Sequence, residues 1–247
     1  MLEVHPDRLV FGLPVHILKD YKGWLKQRLE EQVGTHVVTL NSEMAMQAEK
    51  NADLGKTIRE AELVIPDGAG VVLHFLIRGE RIRRIPGIEL ARDVLRLAAD
   101  IGRERGVFLI GGEPGVAEIA AKSWQERLPN LAIAGIHHGY LNPENSEPLR
   151  QTLKDSQPAV ILVGMGVPRQ EFWIAENRQL CPNAIWIGVG GSFDIWAGRK
   201  TRAPLWLQRL YLEWAYRLYQ EPWRWRRMAS LPQFAWRSLT TAIVVRR

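Results

Sequence analysis

An α/β fold, with a mostly parallel sheet covered by helices on both faces and a helical C-terminal appendage, is predicted by three features of the chain. Short, largely apolar runs recur, among them His36-Val-Val-Thr-Leu40, Gly106-Val-Phe-Leu-Ile110 and Ala159-Val-Ile-Leu-Val163. Parallel strands buried on both faces read this way. Segments of helix length separate the runs, which is the alternation of βαβ units. Several runs end in glycine beside a polar side chain, and open α/β sheets bind ligands outside the carboxyl ends of their strands.

In chain order, residues 10–34 read as a short strand or loop and then an amphipathic helix carrying Leu18, Tyr21, Leu25 and Leu29 at helical spacing. His36-Val-Val-Thr-Leu40 is a strand, closed by Asn41-Ser42, either of which can cap the helix that begins at Glu43. A second helical stretch leads to the strand Glu62-Leu-Val-Ile65 and then to Asp67. Strands at 106–110, 131–136, 159–163 and 184–189 alternate with helices at 116–128, 147–154 and 168–180. Neither a repeat nor a low-complexity tract interrupts the pattern, and the architecture expected over residues 1–200 is a Rossmann-like core.

The appendage, residues 201–247, differs in composition. From Arg199 to Arg247 there are eleven Lys/Arg against Glu213 and Glu221, a net of +9, so the rest of the chain carries −3 of the overall +6. Five of the ten tryptophans fall there as well. Over residues 204–220, Leu207, Leu210, Tyr211, Trp214 and Leu218 share one helical face, with Arg209, Glu213 and Arg217 opposite. Glu221-Pro222 breaks that pattern, a second helical stretch follows, and Pro232 interrupts again. Arg/Trp-rich amphipathic helices suit a membrane interface, with indoles at headgroup depth. Packing on the core or on another subunit explains the same apolar face.

The remaining composition narrows the setting. A single cysteine, Cys181, excludes an intramolecular disulfide and a thiolate metal cluster, which fits a reducing compartment. Met1-Leu-Glu-Val-His-Pro lacks the basic flank and apolar core of a signal peptide. No run approaches the roughly 18 apolar residues of a membrane span. The expected location is therefore cytosolic, unless the chain sits on a membrane surface.

Six strand ends carry the candidate chemistry. In Ile65-Pro-Asp-Gly-Ala-Gly70 a carboxylate follows a strand, although Pro-Asp-Gly is also a common turn signature. Thr39 and Asn41 offer a hydroxyl and an amide to a sugar or phosphate, or a strand threonine and a helix cap. Gly111-Gly-Glu-Pro-Gly115 stands between strand and helix, where backbone N–H groups favour anions; Gly111 and Gly112 form either a phosphate turn or simply a tight connection. It is neither Gly-x-Gly-x-x-Gly nor a P-loop. In Gly164-Met-Gly-Val-Pro-Arg-Gln-Glu171, Gly164 permits close approach and Gln170 can aim its amide at a phosphate or sugar. Glu171 is expected at the helix N-terminus and Arg169 as a solvated charge. His137-His138 lacks companion ligands at metal spacing, so no metal site is expected. Tyr140 offers an aromatic face to a base, and Asp194, in Gly190-Gly-Ser-Phe-Asp194, can accept from a nucleobase or ribose. Each has a structural alternative, as a packed loop tyrosine and a capping acid. So many strand ends of one kind describe a composite nucleotide site with Asp67 as one wall.

With these residues in view, the chain resembles the WecG/TagA/CpsF glycosyltransferase family from about Phe11 to Pro232. The motifs that carry the likeness are Thr39-Leu-Asn-Ser-Glu-Met44, Ile65-Pro-Asp-Gly-Ala-Gly70, Gly87-Ile-Glu89, Phe108-Leu-Ile-Gly-Gly112, His138-Gly-Tyr140, Gly164-Met-Gly-Val-Pro-Arg-Gln-Glu171, Gly188-Val-Gly-Gly-Ser-Phe-Asp194 and Arg202-Ala-Pro204. Leu212-Glu-Trp-Ala-Tyr-Arg-Leu218 with Glu221-Pro222 completes them; Gly191, where alanine is common, is a small departure. The resemblance implies an inverting, metal-independent hexosyltransferase without cofactor. Its donor would be a UDP-sugar of the N-acetylmannosamine type and its acceptor a polyprenyl-diphosphate-linked N-acetylglucosamine, in cell-surface polysaccharide or teichoic-acid-type biosynthesis. It further implies Asp67 as catalytic base and Thr39, Asn41 and Gln170 as pocket residues. Tyr140 and Asp194 would hold the uridine, and Arg217, Arg224 and Arg227 would complete the site on the membrane. Donor sugar, polymer and oligomeric state are left open.

Two readings from other classes compete. A basic, aromatic tail can bind nucleic acid, although the rest of the chain is net acidic and no reader motif is present. A dinucleotide-dependent oxidoreductase would need the missing Gly-x-Gly-x-x-Gly.

Overall fold

The computed structural model describes residues 8–102 and 105–245, with side chains described to Thr241. The N-terminal residues read above for a targeting signal lie outside the described residues, as do the last two arginines of the basic tail. A hairpin of β1 (Arg8–Val10) and β2 (Leu13–Val15) precedes α1 (Tyr21–Glu30). Then come β3 (Thr35–Leu40), α2 (Ser42–Ala48), α3 (Ala52–Arg59), β4 (Leu63–Pro66), α4 (Ala69–Ile77) and α5 (Gly87–Ile101). The second half runs β5 (Val107–Gly111), α6 (Val116–Arg127), β6 (Ile133–His137), α7 (Pro143–Ser156), β7 (Val160–Gly164), α8 (Arg169–Asn177), β8 (Ile185–Gly188) and α9 (Ser192–Trp196). The tail forms α10 (Leu205–Arg209), α11 (Glu213–Gln220), α12 (Trp225–Met228) and α13 (Ser230–Val245).

Strands β4, β3, β8, β7, β5 and β6 lie side by side in that order, and every pairing is parallel. The expected α/β architecture is therefore observed, and it has a direct consequence for the site. All six carboxyl ends open on one edge of the sheet, so residues as distant as Thr39 and Asp194 meet there. Alternation along each strand fills both faces. Val37, Leu63, Leu109, Leu162 and Ile187 pack beneath α1, α5, α6 and α9, while Val38, Leu40, Val64, Phe108 and Ile161 turn to the other side. Cys181 is buried, and burial pushes its thiol up to about 11, so it stays protonated and inert.

Several elements differ from expectation. Leu18 lies before α1, whose N-cap is Asp20. Helix α7 begins at Pro143, four residues early, because Asn142 and Asn145 cap each other's backbone N–H in a reciprocal box. Helices α4 and α5 and the short α9 had no prediction. The sequence of α4 is apolar nearly all round and shows no face. The amphipathic pattern of α5 begins only after an irregular basic run at residues 78–84. In the tail, the single helix expected over residues 204–220 is two helices, broken at 210–212 where Tyr211 takes φ 61°. Glu213, placed on the solvent face by helical spacing, is instead the buried residue of α11. Pro232 does not interrupt: it sits in the first turn of α13, where its missing N–H costs the helix no bond.

Helix α13 lies across α2 and α4. Phe234 is 1% exposed and shares an apolar cluster with Val71, Phe75 and Leu40; its ring lies 4.9 Å from Phe11. Replacing Phe234 with alanine is expected to weaken this contact by about 3–5 kcal/mol. Faster limited proteolysis after residue 230, with the core resistant, is the expected observation.

The same interface holds a buried titratable group. His74 Nδ1 lies 3.0 Å from Ser238 Oγ, and burial, reinforced by the neighbouring Arg78, lowers its pKa from 6.5 to about 4. Above pH 6.5 the imidazole is neutral whether α13 is docked or not, and no penalty arises. As pH falls from about 6.5 to about 4, the exposed ring takes a proton that the buried ring refuses, and stability declines across that window. The full loss is on the order of 3 kcal/mol, at about 1.4 kcal/mol per pH unit. Thermal midpoints measured across this range should fall more steeply for the native chain than for His74→Gln.

Candidate active site

At the carboxyl edge of the sheet lies a cleft of about 360 Å³. Its sheet side presents Thr39, Asn41, Asp67, Gly112, Gly164, Gln170 and Asp194, and the tail presents Arg217, Arg224 and Arg227. An adjoining hollow shares Gly112, Gly164 and Asp194 and adds Tyr140, Arg169 and Trp223. The fold thus brings the sequence-predicted residues together, with one exception. Gly111 lines neither space: a Cβ there would sit 2.5 Å from the Gly164 carbonyl oxygen, so this glycine serves the close approach of β5 to β7.

Asp67 follows β4 directly, and its backbone N–H donates to the Leu40 carbonyl at 2.8 Å, which pins it beside the end of β3. One carboxylate oxygen accepts from the Gly87 backbone N–H at 3.2 Å, at the start of α5. The other faces Arg84, with Nε at 3.4 Å and Nη2 at 3.5 Å. Gly87 has no room for a side chain, since a Cβ would lie 2.7 Å from the Thr39 methyl and 3.4 Å from Asp67. The carboxylate is therefore held by two long contacts and stays part-open to the cleft.

Around the end of β8 the hydrogen bonds form a closed set. Thr39 Oγ1 donates to the Gly188 carbonyl at 3.2 Å. Gln170 Oε1 accepts from Gly190 N–H at 3.0 Å and Gly166 N–H at 3.2 Å, joining the turns after β8 and β7. Gln170 Nε2 donates to Glu171 Oε1 at 2.8 Å, and Glu171 Oε2 lies 3.0 Å from His36 Nε2. Glu171 stands in the first turn of α8 as expected, but it is fully buried and its side chain meets His36, which sequence reading passed over as an ordinary strand residue. Gly188 accommodates this stack, because a Cβ there would fall 2.3 Å from Gln170 Nε2. The Gln170 amide thus shapes the cleft floor, its residue only 1% exposed and its oxygen and nitrogen both engaged by the protein. Asn41 caps α2 by accepting from Met44 N–H at 3.0 Å while also lining the cleft.

Charge in the cleft is densely paired. Arg84 Nη2 donates to Glu213 Oε2 at 2.8 Å, and Glu213 Oε1 receives Arg202 at 3.2 Å and Arg217 at 3.4 Å. Burial alone would raise the Glu213 carboxyl, but Arg217, Arg84 and Arg202 outweigh it and hold the group below the usual range. Burial likewise acts against the Arg84 cation, yet Asp67 and Glu213 raise its pKa overall. Lys200 bridges Asp194 at 3.2 Å and Glu221 at 3.1 Å, and Glu221 holds Arg224 at 2.6 Å. Burial lowers the Arg224 pKa, with Arg227 and Arg217 adding repulsion. Arg227 pairs with Glu43 of α2 at 2.7 Å.

Sequence reading missed Arg84, Lys200, Glu43 and Glu213. Arg84 stood in a basic run that reads as solvated charge; its one signal was nearness to Gly87-Ile-Glu89. Tyr140 is 61% exposed, with its face available in the adjoining hollow. The His137 and His138 rings lie tilted to each other with centroids 4.5 Å apart, and no group of three metal-ligating side chains occurs among the described residues.

With this geometry in place, comparison with known proteins is informative. A sequence model described as the glycosyl transferase WecG/TagA/CpsF family matches residues 8–247. The N-acetylglucosaminyldiphosphoundecaprenol N-acetyl-beta-D-mannosaminyltransferase of Bacillus subtilis (strain 168) is 34% identical over 211 residues, 85% of this chain and 81% of the relative. Its namesake from Staphylococcus aureus (strain MW2) is 36% identical over 202 residues, 81% of this chain and 78% of the relative.

Proposed function

Because this chain belongs to the WecG/TagA/CpsF glycosyltransferase family, we propose that it transfers an N-acetylmannosamine-type sugar from a UDP-sugar to a polyprenyl-diphosphate-linked N-acetylglucosamine, with inversion. The observation that carries the reading is the convergence of Asp67, Thr39, Gln170 and three tail arginines on one cleft at the carboxyl edge of the sheet.

A sugar hydroxyl is a weak nucleophile at neutral pH. Asp67, part-open to the cleft, takes its proton as it attacks the anomeric carbon from the face opposite the departing UDP. One further negative charge develops on the leaving diphosphate as the sugar–oxygen bond breaks, and Arg217, Arg224 and Arg227 face the cleft to meet it, without a metal or other cofactor. Gly112 and Gly164 let backbone N–H groups approach the phosphates. In the adjoining hollow Tyr140 stacks on the uracil, and Asp194 accepts from the base or the ribose once Lys200 shifts.

The tail, residues 201–247, serves as a membrane-associating appendage on a core of residues 1–200. No helix among the described residues is long and apolar enough to cross a membrane, so a lipid-linked acceptor is met at the surface. Exposed Trp206, Trp223, Trp225 and Trp236 supply the interfacial aromatics on the cytoplasmic face. The nucleic-acid reading finds no support in the comparisons, which match a glycosyltransferase family and relatives named as glycosyltransferases. The test is a panel of UDP-sugars against a lipid-diphosphate N-acetylglucosamine acceptor, with released UDP and the disaccharide product measured. Release with UDP-N-acetylmannosamine or its uronic acid is expected. Turnover with none of the panel, in the presence of vesicles, would remove the proposal.

A further inference from the structure

Glu213 is the most enclosed charge in the tail, and the reaction outlined above gives it no task. Its side chain is 6% exposed, that of Arg84 13% and that of Asp67 23%, so solvent screens the three poorly. Arg84 is shared unequally. It lies 2.8 Å from the Glu213 carboxylate but 3.4–3.5 Å from Asp67.

We propose that Glu213 is a positioning residue that sets the basicity of Asp67 by drawing Arg84 toward the tail, so that docking of the tail arms the base. The inference rests on the reading of Asp67 as general base. An arginine closed on a carboxylate in a charge-assisted pair stabilises its anion and makes it a poorer proton acceptor. With α11 in place, Glu213 takes the closer half of Arg84 and neutralises its charge beside Asp67. With α11 away, Asp67 is the carboxylate left to Arg84.

The surroundings favour this division. Among the described residues, Asp67 is otherwise met at hydrogen-bond distance by the Gly87 N–H alone. Glu213 is otherwise met by Arg202 and Arg217, and Arg202 is itself shared with Glu89 at 2.8 Å. The other cations facing the cleft, Arg224, Arg227 and Lys200, have carboxylates of their own in Glu221, Glu43 and Asp194. Arg84 is thus the cation common to the base and the tail.

The test is the pH dependence of transfer by the full chain on a lipid-linked acceptor. Glu213→Gln keeps the shape and removes the charge. Its acid limb is expected about one pH unit lower, with plateau kcat reduced about three- to tenfold as the base weakens, and KM for the UDP-sugar within twofold. Glu213→Asp should restore the limb. Arg84→Gln should move the limb upward, and in that background Glu213→Gln should add no shift. An acid limb that stays in place or rises in Glu213→Gln overturns the inference. So does an equal effect of Glu213→Gln with and without Arg84, which is what a merely structural role predicts. Should Glu213→Gln release the tail on limited proteolysis, Arg84→Gln decides: an unmoved or lowered limb there overturns the inference as well. Full turnover by Asp67→Asn would instead remove the base assignment, a separate result.

Discussion

Asp67→Asn is expected to reduce sugar transfer by about 10²–10⁴-fold, the usual worth of a general base. The substitution keeps the size of the side chain and its contact with the Gly87 N–H, so the sheet edge remains intact. Binding of UDP-sugar, measured by calorimetry, should change little, because the donor's charge is met elsewhere in the cleft. The loss belongs in kcat, with KM nearly constant. An asparagine variant that turns over at near-native rate would show that the acceptor hydroxyl loses its proton to another group. A variant that no longer binds UDP-sugar would mark Asp67 as part of the donor site.

Deleting residues 203–247 should have the next largest effect, on the order of 10³-fold or more in kcat/KM, since three candidate stabilisers of the leaving diphosphate depart together. Binding to vesicles of anionic lipid should fall in parallel, as basic residues at such a surface each contribute about 1 kcal/mol. Deletion has a structural cost too, because it uncovers the face of α4 that Phe234 closes. A triple Arg217→Gln, Arg224→Gln and Arg227→Gln variant of the full chain separates the two effects: it keeps Phe234 and removes the charge. If the truncated enzyme stays fully active on a lipid-linked acceptor, the tail has no part in the chemistry.

How much of this was legible in the sequence varies by element. The core strands were legible because a parallel sheet covered on both faces demands continuous apolar runs, and β3, β5, β7 and β8 supply them. The strand ends were legible because glycine next to a polar side chain stands out against those runs. The helix α4 was not, because a segment that is apolar nearly all round has no periodicity to read. Arg84 was not, because a cation in a basic run looks solvated until the chain closes on a carboxylate. Glu213 was misread for the same reason: helical spacing gives the relative phase of residues on one helix, but not which side another element covers.

The sequence alone determined the α/β class, the family, and the residues at the carboxyl edge of the sheet, because these follow from local pattern and ordered motifs. Tertiary structure decided which charges are partners. Asp67, Arg84 and Glu213 are separated by up to 146 positions along the chain, and no local rule links them. They meet because α5 starts against the end of β4 and α11 folds back over both. Desolvation in that cleft then turns ordinary surface residue types into a coupled site, because charges shielded from water interact strongly over the few ångströms that separate them.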